Sequence, residues 1–149
     1  MRRVVCKLAP CTLRAAHTLC GPALPQLAFA EFLSSGGYDS HLRRVRRTFE
    51  NNIDQMLRTI DKAFPAGTRV SRPAGGFVLW LELPKPFNSR ELFEVALEKG
   101  ICFAPGDVFS ASERFSNCLR VSCGYTWHPR IEKGLTTLGK LASDMLIRG

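Results

Sequence analysis

The chain has 149 residues, 45% of them apolar and 23% charged, and a formal net charge of +8 at pH 7. That length and hydrophobic share suit one globular domain with a real core, and they exclude a disordered tail or a disulfide-stapled miniprotein. No apolar run approaches the roughly 20 residues that a membrane-crossing helix needs, so the sequence reads as a soluble protein with no membrane partner.

The positive charge is spread along the chain, with one dense block, "RRVRR" at 43–47. Cys6, Cys11, Cys20, Cys102, Cys118 and Cys123 form no C-x-x-C pair, and no histidine stands at zinc-ligand spacing, which argues against a metal site. Free thiols in a reducing cytosol are the expectation, and the chain is read as cytoplasmic. The first 30 residues contain Arg2, Arg3, Lys7 and Arg14 but no acid, as transit peptides do. Lys7 and Pro10 interrupt any secretory apolar core. Residues 1–21 therefore read as a poorly specified N-terminal segment and 22–149 as the domain.

From residue 22 onward, prolines and glycines separate periodic segments. "PQLAFAEFLSS", 25–35, opens on a proline suited to a helix start and closes before Gly36-Gly37. Its apolar residues run around most of the circumference, which predicts a helix that is buried or at an interface. Over 41–64, Leu42, Val45, Phe49, Ile53, Met56, Leu57, Ile60 and Phe64 recur at spacings of three and four, the stripe of a helix of six turns or more. The arginine block falls on that helix. With no aromatic or glycine interleaved, it reads as a solvated face before a nucleic-acid surface.

"GFVLWLELP", 76–84, alternates at period two. Phe77, Leu79, Leu81 and Leu83 share one face, and Val78, Trp80 and Glu82 the other, as expected of a central strand. "NSRELFEVALEKG" supplies Asn88 as N-cap, Glu91 three residues later and Gly100 as a stop. "ICFAPG" reads as a short strand ending at Pro105. Pro129 opens a last helix with Ile131, Leu135, Leu138, Leu141 and Met145 on one side. The order is two helices, then strand, helix, strand, strand, helix: an α+β layout with a small antiparallel or mixed sheet covered by helices.

"NCLRVSCG", 117–124, carries a permanent charge inside a strand. Alternation puts Leu119, Val121 and Cys123 toward the core and Cys118, Arg120 and Ser122 on the opposite face, one lined by small polar groups. An arginine there can hold a carboxylate through two parallel hydrogen bonds. Spacing alone leaves two other roles open, a salt bridge with an acid such as Glu82 or simple exposure near an edge.

Taken in order, "PALPQLAFAEFLSSGGYDSHLRRVRRTF", "PAGTRVSRPAGGFVLWLELP", "GICFAPGDVFSAS" and "NCLRVSCG" resemble the C-terminal part of fold-type I, pyridoxal-phosphate-dependent class I/II aminotransferases. They are most similar to the aminotransferase-like effector domain of MocR-subfamily GntR transcriptional regulators. The resemblance runs from about residue 21 to 147. It implies a small C-terminal domain that packs on a large cofactor-binding domain and closes the active site over an amino acid or amine. It also implies that Arg120, in the "LR" strand, is the clamp for the substrate carboxylate. A homodimer, pyridoxal 5'-phosphate in the complete protein, and DNA contact only through a winged-helix domain follow from the same resemblance.

The departures from the family pattern are as informative. The Schiff-base lysine, the aspartate at the pyridine nitrogen and the phosphate-binding residues belong to the large domain. "CKLAPCTLR" resembles the lysine segment loosely, but Lys7 lacks the preceding serine and following glycine and lies too close to "PALPQL". Pyridoxal chemistry needs a nucleophilic lysine, an anion site and a ring-nitrogen partner converging on one place. The chain alone is therefore expected neither to bind the cofactor nor to transaminate. "SGGYDSHLRRVRRTF" favours a regulator over a free-standing aminotransferase. Two other expectations remain: a cationic binding or assembly module using the 43–47 arginines, or an inert piece whose uncovered helix at 25–35 self-associates.

Overall fold

The structure, a computed structural model, describes residues 23–148. The readings placed on the N-terminal segment, including Lys7, Cys6, Cys11 and Cys20, lie outside the described residues. The chain divides into two compact units with the boundary between Arg43 and Arg44.

In the first unit, α1 spans Ala23–Ser34. It begins two residues earlier than the proline suggested. Pro25 is tolerated in the first turn because the N–H groups there have no helical partner anyway. None of its residues is buried, and Leu24, Leu27, Phe29 and Leu33 are more than half exposed. Of the two expectations, burial or an interface, burial is not met among the described residues of this unit, where Phe32 meets the rings of Tyr38 and His41 edge-on. Gly36, at φ 74°, makes the turn. A side chain on Gly37 would press into the Phe32 ring, which would have to shift to admit it.

Helix α2 covers Gly37–Ala63 and crosses the unit boundary. It starts four residues before the predicted 41–64 segment, with Asp39 in its first turn, where a negative charge is favoured. In the second unit the stripe buries Met56 and Ile60, with Phe64 following the helix end. Arg46 and Arg47 face solvent.

The sheet has four strands in the order β1-β2-β4-β3: β1 is Arg69–Val70, β2 Val78–Glu82, β3 Ala104–Pro105 and β4 Cys118–Ser122. Every pairing is antiparallel. The edge strand β1 corrects the predicted layout, which began the sheet at 76; two residues are too few to register as alternation. β3 ends at Pro105 as expected, where the ring nitrogen has no N–H to extend the ladder, but it begins only at Ala104.

Helix α3, Ser89–Glu98, is capped as expected. The Asn88 side chain accepts from the Arg90 N–H at 3.0 Å and donates to Glu91 Oε1 at 2.8 Å. Helix α4 spans Pro129–Arg148. Leu79, Leu81, Leu83 and Leu119 on the inner sheet face are at most 1% exposed and meet Met56, Ile60, Leu92, Leu135, Leu138 and Ala142 in one cluster. Each such leucine contributes about 1.5–3 kcal/mol by leaving water. Gly139 lets α4 approach α2 closely, since a Cβ there would run into the Ala63 carbonyl.

Candidate functional site

The outer face of the sheet holds the candidate residue. β4 lies between β2 and β3, and its register sets Arg120 directly opposite Trp80 on one side and Ala104 on the other. Residues opposite each other in an antiparallel pair project to the same face. Arg120 therefore stands beside the Trp80 indole, away from the leucines, and is exposed.

Two short 3-10 turns, Gly106–Phe109 and Glu113–Phe115, follow β3 and bring two more rings to this face. Phe109 meets Trp80 edge-on at 5.6 Å between centroids, and Phe115 does so at 5.4 Å. The Arg120 guanidinium carbon lies 4.8 Å from the Phe109 centroid, and that of Arg114 lies 5.3 Å from Phe115. The expectation of a face lined by small polar groups is thus corrected: Arg120 rests on an aromatic shelf. Period two predicts which way a side chain leaves its own strand, but not what a later turn folds over it.

Stacking on a ring fixes the plane of a guanidinium while leaving its N–H edges available. Glu82, the acid that could have neutralised Arg120, has its ion contact with Arg69 at 4.0 Å. Among the described residues Arg120 has no carboxylate partner. An oriented, uncompensated guanidinium is suited to donating two parallel hydrogen bonds to a carboxylate.

Two contacts tie the turn that carries Phe109 to the start of α3, and a third holds Ser89 itself. Asp107 Oδ2 accepts from Arg90 Nε at 2.5 Å, the Gly106 N–H donates to Ser89 Oγ at 3.4 Å, and Ser89 N–H donates to the Ser116 carbonyl at 2.7 Å. A Cβ on Gly106 would collide with the Phe115 carbonyl and with Cys118, so only glycine fits. Asn117, 2% exposed, donates to the Leu83 carbonyl at 2.6 Å and fixes the start of β4.

The same turns cover Cys118, which alternation had placed on the open face but which is 4% exposed. Burial, with the Glu82 charge adding, pushes its thiol up from the usual value. Burial alone pushes Cys123 up to about 11. Both stay protonated at neutral pH and are poor nucleophiles.

Asn52 is a structural residue that the sequence reading missed. It is 3% exposed; its Nδ2 donates to the Cys123 and Tyr125 carbonyls at 2.9 and 2.7 Å, and its Oδ1 accepts from the Trp127 N–H at 3.2 Å. It ties α2 to the chain leaving β4. Its signal was a polar residue on the apolar stripe, between Phe49 and Met56.

No family model matches the chain. The chain is 35% identical over 134 residues to the HTH-type transcriptional regulator YdcR of Escherichia coli, a match that covers 90% of the chain and 29% of the regulator. It is also 35% identical over 125 residues to the 2-aminoadipate transaminase of Thermus thermophilus, 84% of the chain and 31% of the enzyme. The crystal structure of LysN, the α-aminoadipate aminotransferase of Thermus thermophilus, superposes on the whole chain with a TM-score of 0.82 at 32% identity, covering 38% of LysN. The chain is an aminotransferase-like domain of fold type I. It is related both to MocR-type regulators and to free-standing aminotransferases, and it spans about 30% of the length of these curated relatives. As an aminotransferase-like domain it has the expected α+β fold, with the sheet resolved as antiparallel.

Proposed function

We propose that this aminotransferase-like domain, residues 22–149, supplies the carboxylate-binding arginine, Arg120, of a pyridoxal-phosphate-dependent protein, most closely a MocR-type regulator that senses an amino acid or amine. The observation that carries the reading is the Arg120 guanidinium: exposed, laid on Phe109, and without a carboxylate partner among the described residues. An oriented cation with open donor edges is what recognition of an α-carboxylate requires.

The described residues do not fit the cofactor itself. Lys62, Lys85, Lys99, Lys133 and Lys140 are all exposed, so none stands in an enclosed pocket of the kind that depresses a lysine for Schiff-base chemistry. The cofactor is therefore assigned to polypeptide outside these residues, and this domain alone does not transaminate. The open aromatic shelf is consistent with a site that a second domain completes. Homodimer formation and DNA contact through a winged-helix domain belong to the same proposal for the complete protein, which is placed in the cytoplasm.

The test is Arg120→Ala in the complete protein that carries this domain. Ligand response should fall steeply while pyridoxal-phosphate loading is kept; equal loss of both would assign Arg120 to folding. Adding pyridoxal phosphate to the 149-residue chain should give no borohydride-trapped adduct, and a stoichiometric adduct on Lys7 would overturn the assignment of the cofactor elsewhere.

A further inference from the structure

The Arg120 guanidinium is held by its ring contact alone among the described residues, so whatever holds Phe109 aims Arg120. Phe109 closes a four-residue turn and is 42% exposed; neighbouring Val108 is 58% exposed. Burial therefore does little to fix this end of the turn. Besides the edge contact of its ring with Trp80, the polar tie to the rest of the domain is Asp107, two residues before Phe109, through its contact with Arg90 on α3.

Four features make this pair more than a surface ion pair. The contact is charge-assisted and short, 2.5 Å from Nε to Oδ2. Asp107 is 30% exposed at its side chain, and its other oxygen, Oδ1, is shut off from water with no hydrogen-bond partner, so the carboxylate depends on Arg90 for compensation. Arg90 itself sits in the first turn of a capped helix, where Asn88 accepts from its own N–H and Ser89 is fully buried. The pair thus joins the turn to a rigid element. Finally, the other tie on the turn, Gly106 N–H to Ser89 Oγ, is long at 3.4 Å and acts at the far end from Phe109.

We infer that Arg90 and Asp107 are positioning residues: by pinning the 106–109 turn to α3 they hold the Phe109 ring under Arg120 and so set the direction in which the guanidinium presents its N–H edges. The functional value of this rests on the carboxylate role proposed for Arg120; the geometric link does not. Arg90→Lys would keep the charge, whereas Arg90→Ala removes the tie by truncating a side chain that is itself more than half exposed.

The experiment uses the whole 149-residue chain without ligand, observing the Arg120 side-chain Nε–Hε and Cδ–H resonances by NMR. The Phe109 ring should displace these protons upfield, and Phe109→Leu defines their position when the ring is gone. Arg90→Ala and Asp107→Asn should each carry the Arg120 signals toward the Phe109→Leu position, and Arg90→Lys should return most of the displacement, while the amides of Leu119 and Val121 stay in place. Unmoved Arg120 signals in Arg90→Ala would overturn the inference. So would movement of Arg120 together with all of β4, which would mean general loss of structure. A parallel acetate titration keeps the two claims apart: an Arg120 that answers to Arg90→Ala but never to acetate sinks the carboxylate role and leaves the positioning intact.

Discussion

The two faces of one small sheet have been given opposite tasks. On the inner face, Leu79, Leu81, Leu83 and Leu119 are at most 1% exposed and lie against three helices of the second unit. On the outer face, the alternating neighbours from the same strands are Trp80, Arg120 and Ser122, with Phe109 and Phe115 folded over them from turns. The strands are shared, so a substitution one residue along β4 changes from a structural question to a functional one. The inner face is dry and filled; on the outer face a charge is set against a ring and has no carboxylate partner among the described residues, which is what the proposed carboxylate role rests on.

That contrast can be tested in order of expected effect. Leu119→Ala should cost about 2–5 kcal/mol, the range for a fully buried leucine whose site cannot collapse, read as a lower urea midpoint. A loss well below that range would mean the inner face repacks. Asn52→Ala leaves the buried Cys123 carbonyl, the part-buried Tyr125 carbonyl and the Trp127 N–H without their partner and should cost roughly 1–3 kcal/mol in the same assay. If it were neutral, the amide would not be the tie between α2 and the chain after β4.

The Cys123 thiol gives a pH-dependent test of the inner face. Its folded value is raised to about 11 while the unfolded thiol titrates near 9.0, so between these values the folded state holds more protons. Its contribution is complete below about pH 9 and is lost as pH rises toward 11. Unfolding free energy should fall over that window, and Cys123→Ala should flatten the fall relative to the parent. Parallel pH profiles for the two proteins would contradict the burial of this thiol.

The smallest stability effect is expected one residue from Leu119. Arg120→Ala should change unfolding free energy by no more than about 0.5 kcal/mol, as surface substitutions do. A cost near that of Leu119→Ala would erase the distinction between the faces.

Much of this division was legible in the sequence. Spacings of three and four located α2 and α4, Asn88 and Glu91 marked the start of α3, and period two assigned Leu119 and Arg120 to opposite faces. The resemblance that named the domain rested on ordered motifs, and the relationship to MocR-type regulators and aminotransferases bears it out. The rest depended on contacts distant in the chain. The shelf joins Trp80, Phe109, Phe115 and Arg120 from separate strands and turns, and no local period carries that information. β1 is two residues long, below the length at which alternation registers. For α1 the apolar composition stated a need for cover, by burial or at an interface, and none of its residues is buried among the described residues.

The most direct measurement of the central claim is an acetate titration of the 149-residue chain followed at every arginine Nε–Hε resonance. Arg120 should move saturably, Arg46 and Arg47 on the exposed face of α2 should move little, and L-leucine should act on Arg120 where L-leucine methyl ester does not. Equal, unsaturable movement of all three arginines, or an equal response to the ester, would show that Arg120 is an ordinary surface charge.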